Sequence, residues 1–279
     1  MRNLANKVAA ITGAGSGIGR GLAEALAREG AELALSDVDE AGLAETRSRV
    51  AAVSPRVTTR VVDVADRLAV ESWADEVVRH HERVNLIFNN AGVGLSSAIV
   101  DMSYEDLEWL MGINFWGVVH GTKSFLPHLL DSRDGHVVNV SSVFGIIAVP
   151  GQAAYHAAKF AVRGYTECLR EELDIMEAGV SATSVHPGGI KTNIARAARM
   201  SGTTLGDVSA DEAAEQFERA ARTTPDEAAR AILDGVRSNA RRVLVGWDAK
   251  LIDVAQRVLP TAYQGLVVRG VKSARARPV

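Results

Sequence analysis

Tyr155 and Lys159 stand four residues apart in "SSVFGIIAVPGQAAYHAAKFAVRGYTE", within an alanine-rich run that reads as helix. Positions i and i+4 share a helix face, so a phenol and an ammonium there can approach one ligand. A free tyrosine has a pKa of about 10 and is almost wholly protonated near neutrality. A neighbouring ammonium favours the phenolate. The pair therefore has the makings of a general acid and base that moves a proton to or from an oxygen. Two solvated side chains at a helix edge are the plain alternative. With four tyrosines and six lysines in 279 residues, this spacing arises by chance about 0.09 times, so the pair needs support from elsewhere in the chain.

That support begins at "TGAGSGIG" (12–19). Its glycines are spaced G-x-x-x-G-x-G, from Gly13, Gly17 and Gly19; position 18 is Ile, so the G-x-G-x-x-G pattern does not fit. Glycines let the backbone turn sharply and approach a diphosphate, whose charge sits at the helix N-terminus. A turn serving packing alone is the rival reading, but a strand before it and a helix after it favour nucleotide binding. Asp37 closes the next strand-like run, "ELALSD". An acidic residue there can accept from the adenosine ribose hydroxyls and would repel a 2′-phosphate. Ser16 lies between the glycines and "SDVDE" brings no base, which favours NAD over NADP. A helix-capping role suits Asp39 better than Asp37. Asp63, in "VVDVAD", is a second candidate at the adenine end, with capping as its rival role.

The elements that must position these groups alternate. Strand-like runs at 7–12, 32–37, 57–64, 84–92, 136–142, 180–188 and 241–246 are separated by helical patterns, among them 18–30, 39–53 and 66–81. Gly30 is placed to end the first helix and Asp66 to cap the third. Strands alternating with helices predict parallel βαβ units, with strands apolar on both faces. Ligands bind such sheets outside the carboxyl ends of the strands. The unusual residues fall there: Gly13 to Gly19, Asp37, Asp63, Asn89 to Gly92, Ser141 and Ser142, Pro187 and Gly188.

Composition closes off several classes. Hydrophobic residues make up 47%, charged residues 23%, and the net charge is −3, with no bias toward nucleic acid or anionic membranes. One cysteine, Cys168, permits no disulfide within the chain. The histidines at 80, 81, 120, 128, 136 and 156 are scattered, so no metal is expected; His156 should point away from Tyr155. No run of 18 apolar residues predicts a transmembrane helix, and a cytoplasmic location is expected.

"TGAGSGIG", "NNAG" (89–92), "VNVSS" (138–142), "YHAAK" (155–159) and "HPGGIKT" (186–192) together resemble the short-chain dehydrogenase/reductase family in its single-domain form, over about residues 5 to 247. The resemblance implies an α/β, doubly wound Rossmann-type fold with a mostly parallel seven-stranded sheet flanked by helices. It implies a catalytic group of Asn114, Ser142, Tyr155 and Lys159. Ser142 would hydrogen-bond the substrate oxygen, and Asn114 would hold a water beside Lys159 for proton relay. The positive charge of an oxidised nicotinamide would add to that of Lys159 in favouring phenolate. Cofactor contacts would come from Ser16 and Ile18 beside the glycines, from Val64 beside Asp63, and from Tyr155 and Lys159 themselves. Asn90 would steady the sheet while Ala91 and Gly92 admit the cofactor. Pro187, Gly188, Ile190 and Thr192 would meet its nicotinamide end. Helices around 103–130 and 164–174 would form a subunit interface, giving a homodimer or homotetramer.

The reading that follows is an NAD-dependent alcohol dehydrogenase or carbonyl reductase acting on a small secondary alcohol or ketone. An NADP-dependent 3-oxoacyl thioester reductase is the second choice, and a nucleotide-binding regulatory protein without turnover the third. Residues 1–247 form the dinucleotide-binding and catalytic domain. Within it, 193–224 should lie over the active site as a lid. Val143, Phe144, Val149, Gly94 and Leu95 are candidate pocket walls and suggest an apolar substrate. Residues 248–279 form a helical extension ending in a basic tail. Their apolar series Leu251, Ile252, Val254, Ala255, Val258 and Leu259 predicts that 248–270 pack as helix and irregular chain against the same or a neighbouring subunit, partly lining the substrate entrance. Weak membrane-surface contact is the second reading for this tail.

Overall fold

The computed structural model describes residues 1–201, 215 and 218–275. The chain opens with β1 (Val8–Thr12), α1 (Gly17–Arg28), β2 (Glu32–Asp37), α2 (Glu40–Val50), β3 (Val57–Val61), α3 (Arg67–His81) and β4 (Leu86–Asn89). It continues through β5 (Leu95–Ser96), α4 (Tyr104–Met111), a π-helical turn (Gly112–Trp116), α5 (Gly117–Ser132) and β6 (Gly135–Val140). A 3-10 turn (Val143–Gly145), the long α6 (Ala153–Met176), β7 (Val180–Pro187) and β8 (Arg199–Met200) come next. Last come α7 (Pro225–Arg237), β9 (Arg242–Val245), α8 (Trp247–Val258) and α9 (Ala262–Arg275).

Seven strands form one sheet in the order β3-β2-β1-β4-β6-β7-β9, every neighbouring pair parallel. Successive residues of a strand face opposite sides, and the sequence uses both. Ala9 and Ile11 of β1 join Leu33 and Leu35 of β2 under α1 and α7, with Leu22, Leu26 and Ile232. Val8 and Ala10 join Ala34 and Ile87 on the other side, under α3, α5 and α6. There Trp73 meets Phe125 edge-on, with ring centroids 5.1 Å apart. Helices on both faces explain why the strands read as unbroken apolar runs. The direction of winding reverses between β1 and β4, and the carboxyl ends of those two strands open the crevice in which such folds bind ligands.

The helix boundaries follow local signals. Gly30 has φ of +80°; its N–H reaches Ala27 O and that of Ala31 reaches Leu26 O, a pair of bonds that closes α1. Asp66 caps α3 by accepting from the N–H groups of Leu68 and Ala69, and Asp39 caps α2 through Gly42.

Of the expected lid, residues 202–214 and 216–217 lie outside the described residues. Its first limb carries β8, which pairs with β5 in a two-stranded parallel sheet. Arg199 fastens that limb to α4, its guanidinium 3.8 Å from the centre of the Trp109 ring and 2.8 Å from Asp106. The tail is helical. α8 is tied to β9 through buried Asp253, which accepts from Arg242 at 3.1 Å and from Arg257 at 2.9 Å. α9 reaches the loop after β6, where the Tyr263 hydroxyl accepts from Ala148 N–H at 3.1 Å. Among the described residues no helix is long and apolar enough to cross a membrane, and no group of three or more His, Cys, Asp or Glu side chains could hold a metal ion.

Candidate active site

The turn after β1 is shaped by close contact. Gly13 and Gly17 have φ of +66° and +51°, a region that favours glycine. A Cβ on Gly13 would lie 2.8 Å from Ala91 Cα, and one on Gly19 would overlap the carbonyl of Gly13. Asn90 locks the arrangement, its amide donating to Thr12 O at 2.9 Å and to Gly13 O at 3.2 Å. Thr12, which sequence reasoning passed over, accepts from the N–H groups of Asn90 and Ala91 on its hydroxyl. Asp37 holds the turn from the other side, accepting from Gly15 N–H at 2.8 Å and from Asp39 N–H at 3.0 Å. A carboxylate has about four acceptor positions, so two remain.

This turn fits an anionic group. Ser16 stands at the N-cap of α1, yet its side chain makes no capping bond and the first turn holds no acid, whereas aspartates cap α2 and α3. The amides that open α1 are left to an external anion, the arrangement that binds diphosphates.

A cleft of about 340 Å³ runs from this turn across the carboxyl ends of the strands. Gly13, Ser16, Gly17 and Ile18 line one part of it, with Asp37, Asp63 and Val64. Asn90, Ala91 and Gly92 form the floor beside Ser142, Tyr155 and Lys159, and Pro187, Gly188, Ile190 and Thr192 form the facing wall. Gly19 does not line the cleft; its role is the close packing just described. Asp63 lines it while accepting from Ala65 N–H at 2.9 Å.

Asn114 is fully buried in the π-helical turn rather than on the cleft wall. Its amide bonds both sides of Val93, accepting from the N–H at 2.8 Å and donating to the carbonyl at 2.9 Å. That pairing fixes the strand-to-loop exit next to Gly92.

Tyr155 and Lys159 share a face of α6, as their spacing requires. Lys159 Nζ lies 5.5 Å from the centre of the Tyr155 ring and donates to Val140 O at 3.0 Å. Tyr155 is half-buried and lines the cleft. Protein nonetheless surrounds the phenol closely enough that desolvation pushes it up to about 12, with a hydrogen bond to Ser142 pulling the other way. Lys159 is buried too, and desolvation draws its ammonium down to about 8. The expectation joined the Lys159 ammonium with an oxidised nicotinamide in favouring phenolate; in the chain by itself desolvation outweighs the ammonium. Burial disfavours charge on both groups, and the ammonium faces the ring rather than a carboxylate-like oxygen.

The frame around this pair uses groups that the motifs do not reveal. Ser141 Oγ donates to Lys159 O at 2.7 Å, joining the end of β6 to α6. A Cβ on Gly145 would overlap Ser141 Oγ and lie 2.7 Å from Lys159 O. His186 Nδ1 donates to Ser142 O at 2.9 Å, and its Nε2 bonds Ser184 at 3.0 Å. His156 turns away from Tyr155, accepting from Val149 N–H and donating to Phe144 O. Phe144 packs edge-on against Tyr155, centroids 6.2 Å apart. The expected wall residues Val143 and Leu95 are instead buried in packing. Val93, Ile113, Val140, Asn193, Ile194 and Ala197 also line the cleft. The last three belong to the opening of residues 193–224, the segment expected to act as a lid.

The chain is similar to known proteins of one family and fold. A family model described as "short chain dehydrogenase" matches residues 7–201. The chain is 48% identical over 273 residues to the Mycobacterium tuberculosis protein named "Putative oxidoreductase SadH", covering 97% of each. A short-chain dehydrogenase/reductase from Burkholderia phymatum, solved in complex with NAD, superposes with a TM-score of 0.87 at 30% identity, over 95% of this chain and 97% of that one. A short-chain dehydrogenase from Mycobacterium paratuberculosis bound to NAD gives 0.73 at 26% identity, over 86% and 96%.

Proposed function

The chain belongs to the short-chain dehydrogenase/reductase family, and from that premise we propose that it is an NAD-dependent oxidoreductase interconverting a secondary alcohol and a ketone. The observation that carries the reading is the meeting of Ser142, Tyr155 and Lys159 at one part of a cleft that also runs past Asp37 and the uncapped start of α1. The nicotinamide, when bound, accepts or supplies the hydride and brings a positive charge in its oxidised form. In the reducing direction Tyr155 donates its proton to the carbonyl oxygen as the carbon gains hydride; oxidation returns that proton to Tyr155. A phenol kept protonated by burial is ready for the first of these. Ser142 hydrogen-bonds the same oxygen. Lys159, whose ammonium burial draws down, passes protons onward; Asn114, its amide bonded to Val93, holds the loop beside Gly92 rather than meeting the cleft.

Two features support NAD. The Asp37 carboxylate faces the cleft, and Lys159 is the sole basic residue among the described residues that line it. Both related structures named above carry NAD. Val93, Ile113, Ile194 and Ala197 favour an apolar substrate. A homo-oligomer accords with Trp116 and Phe160, exposed at 51% and 42% on the π turn and α6, and light scattering measures it. The deciding experiment is turnover of a panel of secondary alcohols and ketones with NAD and NADP side by side. Preference for NADP, unchanged in Asp37→Ala, would overturn the cofactor assignment.

A further inference from the structure

We infer that Asp248, in the tail after the last strand, is a positioning residue for the wall Pro187–Thr192 of the cofactor cleft. The inference rests on the functional reading above. Asp248 Oδ2 accepts from Gly189 N–H at 2.7 Å. The carboxylate fills the space beside two glycines, since a Cβ on Gly188 or on Gly246 would overlap it. Gly246 has φ of +96°, which turns the chain from β9 into α8 and brings Asp248 back over the end of β7. Gly188 N–H meanwhile donates to Val245 O at 2.9 Å. The wall is therefore gripped from its rear by both the last strand and the first turn of α8.

The grip matters because of what the wall touches. Pro187, Gly188, Ile190 and Thr192 line the cleft, while Gly189 does not. At the front, the Thr192 methyl sits where a Cβ on Gly17 would come within 3.0 Å of it. The wall thus spans from Asp248 behind to the diphosphate turn ahead. Acidic side chains are favoured in the first turn of a helix, so α8 itself holds the carboxylate in place. Asp253 anchors that helix to β9 through Arg242. The tail then has a defined task. It sets the height of the cofactor wall, and Asp248 is the atom-level contact through which it does so.

The test compares Asp248→Ala and Asp248→Asn with the wild type. NAD affinity is read by calorimetry, and amide hydrogen exchange is read over residues 188–192. Asp248→Ala should weaken NAD about ten-fold, the scale of one hydrogen bond to a charged acceptor, and should speed exchange in that segment. Asp248→Asn keeps an acceptor oxygen and should stay within about three-fold of wild type. Should Asp248→Ala fail to fold, Asp248→Ser, which still suits a helix start, carries the same comparison. Unchanged affinity and unchanged exchange in a folded Asp248→Ala or Asp248→Ser would overturn the proposal, as would an equal loss in Asp248→Asn. A wild type that binds no nicotinamide cofactor would overturn the functional reading instead. The grip on Gly189 would still be judged by exchange, which needs no ligand.

Discussion

Two turns face each other across the cleft and are built in opposite ways. The turn at Gly13–Gly19 is held by its neighbours: Thr12 before it, Asn90 from the adjacent strand, and Asp37 from the strand on the other side. The turn at Pro187–Thr192 is held by a residue 59 positions later, Asp248, and by Val245. The first is packed backbone against backbone, with no room for a methyl group at Gly19. The second is packed against the end of a side chain rather than against backbone. The first should therefore fail abruptly when altered, and the second by degrees.

The chemistry between the turns gives the largest expected effect. Tyr155→Phe keeps the ring and both turns but removes the titrating atom. Turnover should fall by about 10²–10⁴ while NAD affinity, measured separately, stays near wild type. Retention of most of the wild-type rate would reduce the Tyr–Lys pair to helix surface.

Next comes the rigid turn. In Gly19→Ala the new methyl overlaps Gly13 O and comes within 2.7 Å of Asn90 Nδ2. Overpacking of this kind costs about 1–3 kcal/mol, so both the melting temperature and NAD affinity should drop. The compliant turn should suffer less. Gly188→Ala, whose new methyl has the Asp248 carboxylate as its nearest neighbour, should weaken NAD by about ten-fold with little loss of melting temperature. Combined with Asp248→Ala, the added methyl should have almost no further effect, because its obstacle is gone. Equal damage from Gly19→Ala and Gly188→Ala would erase the contrast between the turns.

A further effect concerns pH. The Lys159 ammonium is drawn from 10.5 to about 8 in the folded chain, so between those values the unfolded chain binds more protons. Stability should rise with pH across that window. Tyr155, raised from 10.0 to about 12, acts oppositely and should lower stability above pH 10. Urea unfolding of the cofactor-free protein should thus show a midpoint that climbs from pH 8 to 10. Lys159→Met should lack the climb; a climb that persists in it would assign the effect to another group.

How much of this was legible in the sequence follows the same division. The alternation of strands and helices, the caps at Asp39 and Asp66 and the end of α1 at Gly30 rest on neighbouring residues, and the structure reproduces them. The Gly-rich turn and the shared face of Tyr155 and Lys159 are local in the same sense. The pairing of Asn114 with Val93, the bond from His186 to Ser142 and the hold of Asp248 on Gly189 join segments 21 to 59 residues apart, and no spacing rule announces them. Nor does spacing report burial. It suggested an ammonium that lowers a phenol, where desolvation dominates both groups.

Gly145 has one further consequence. Because Ser141 and the Lys159 carbonyl meet around Gly145 with no side chain between them, the seam between the chain after β6 and the early turns of α6 is a dimension cut to zero clearance. Any larger residue at 145 acts as a spacer, and the fault appears as misalignment rather than as a lost functional group. Displacing a reacting atom by about an ångström can slow a reaction by about a hundred-fold. A variant at this position would keep every catalytic group, bind its cofactor, and still run out of true.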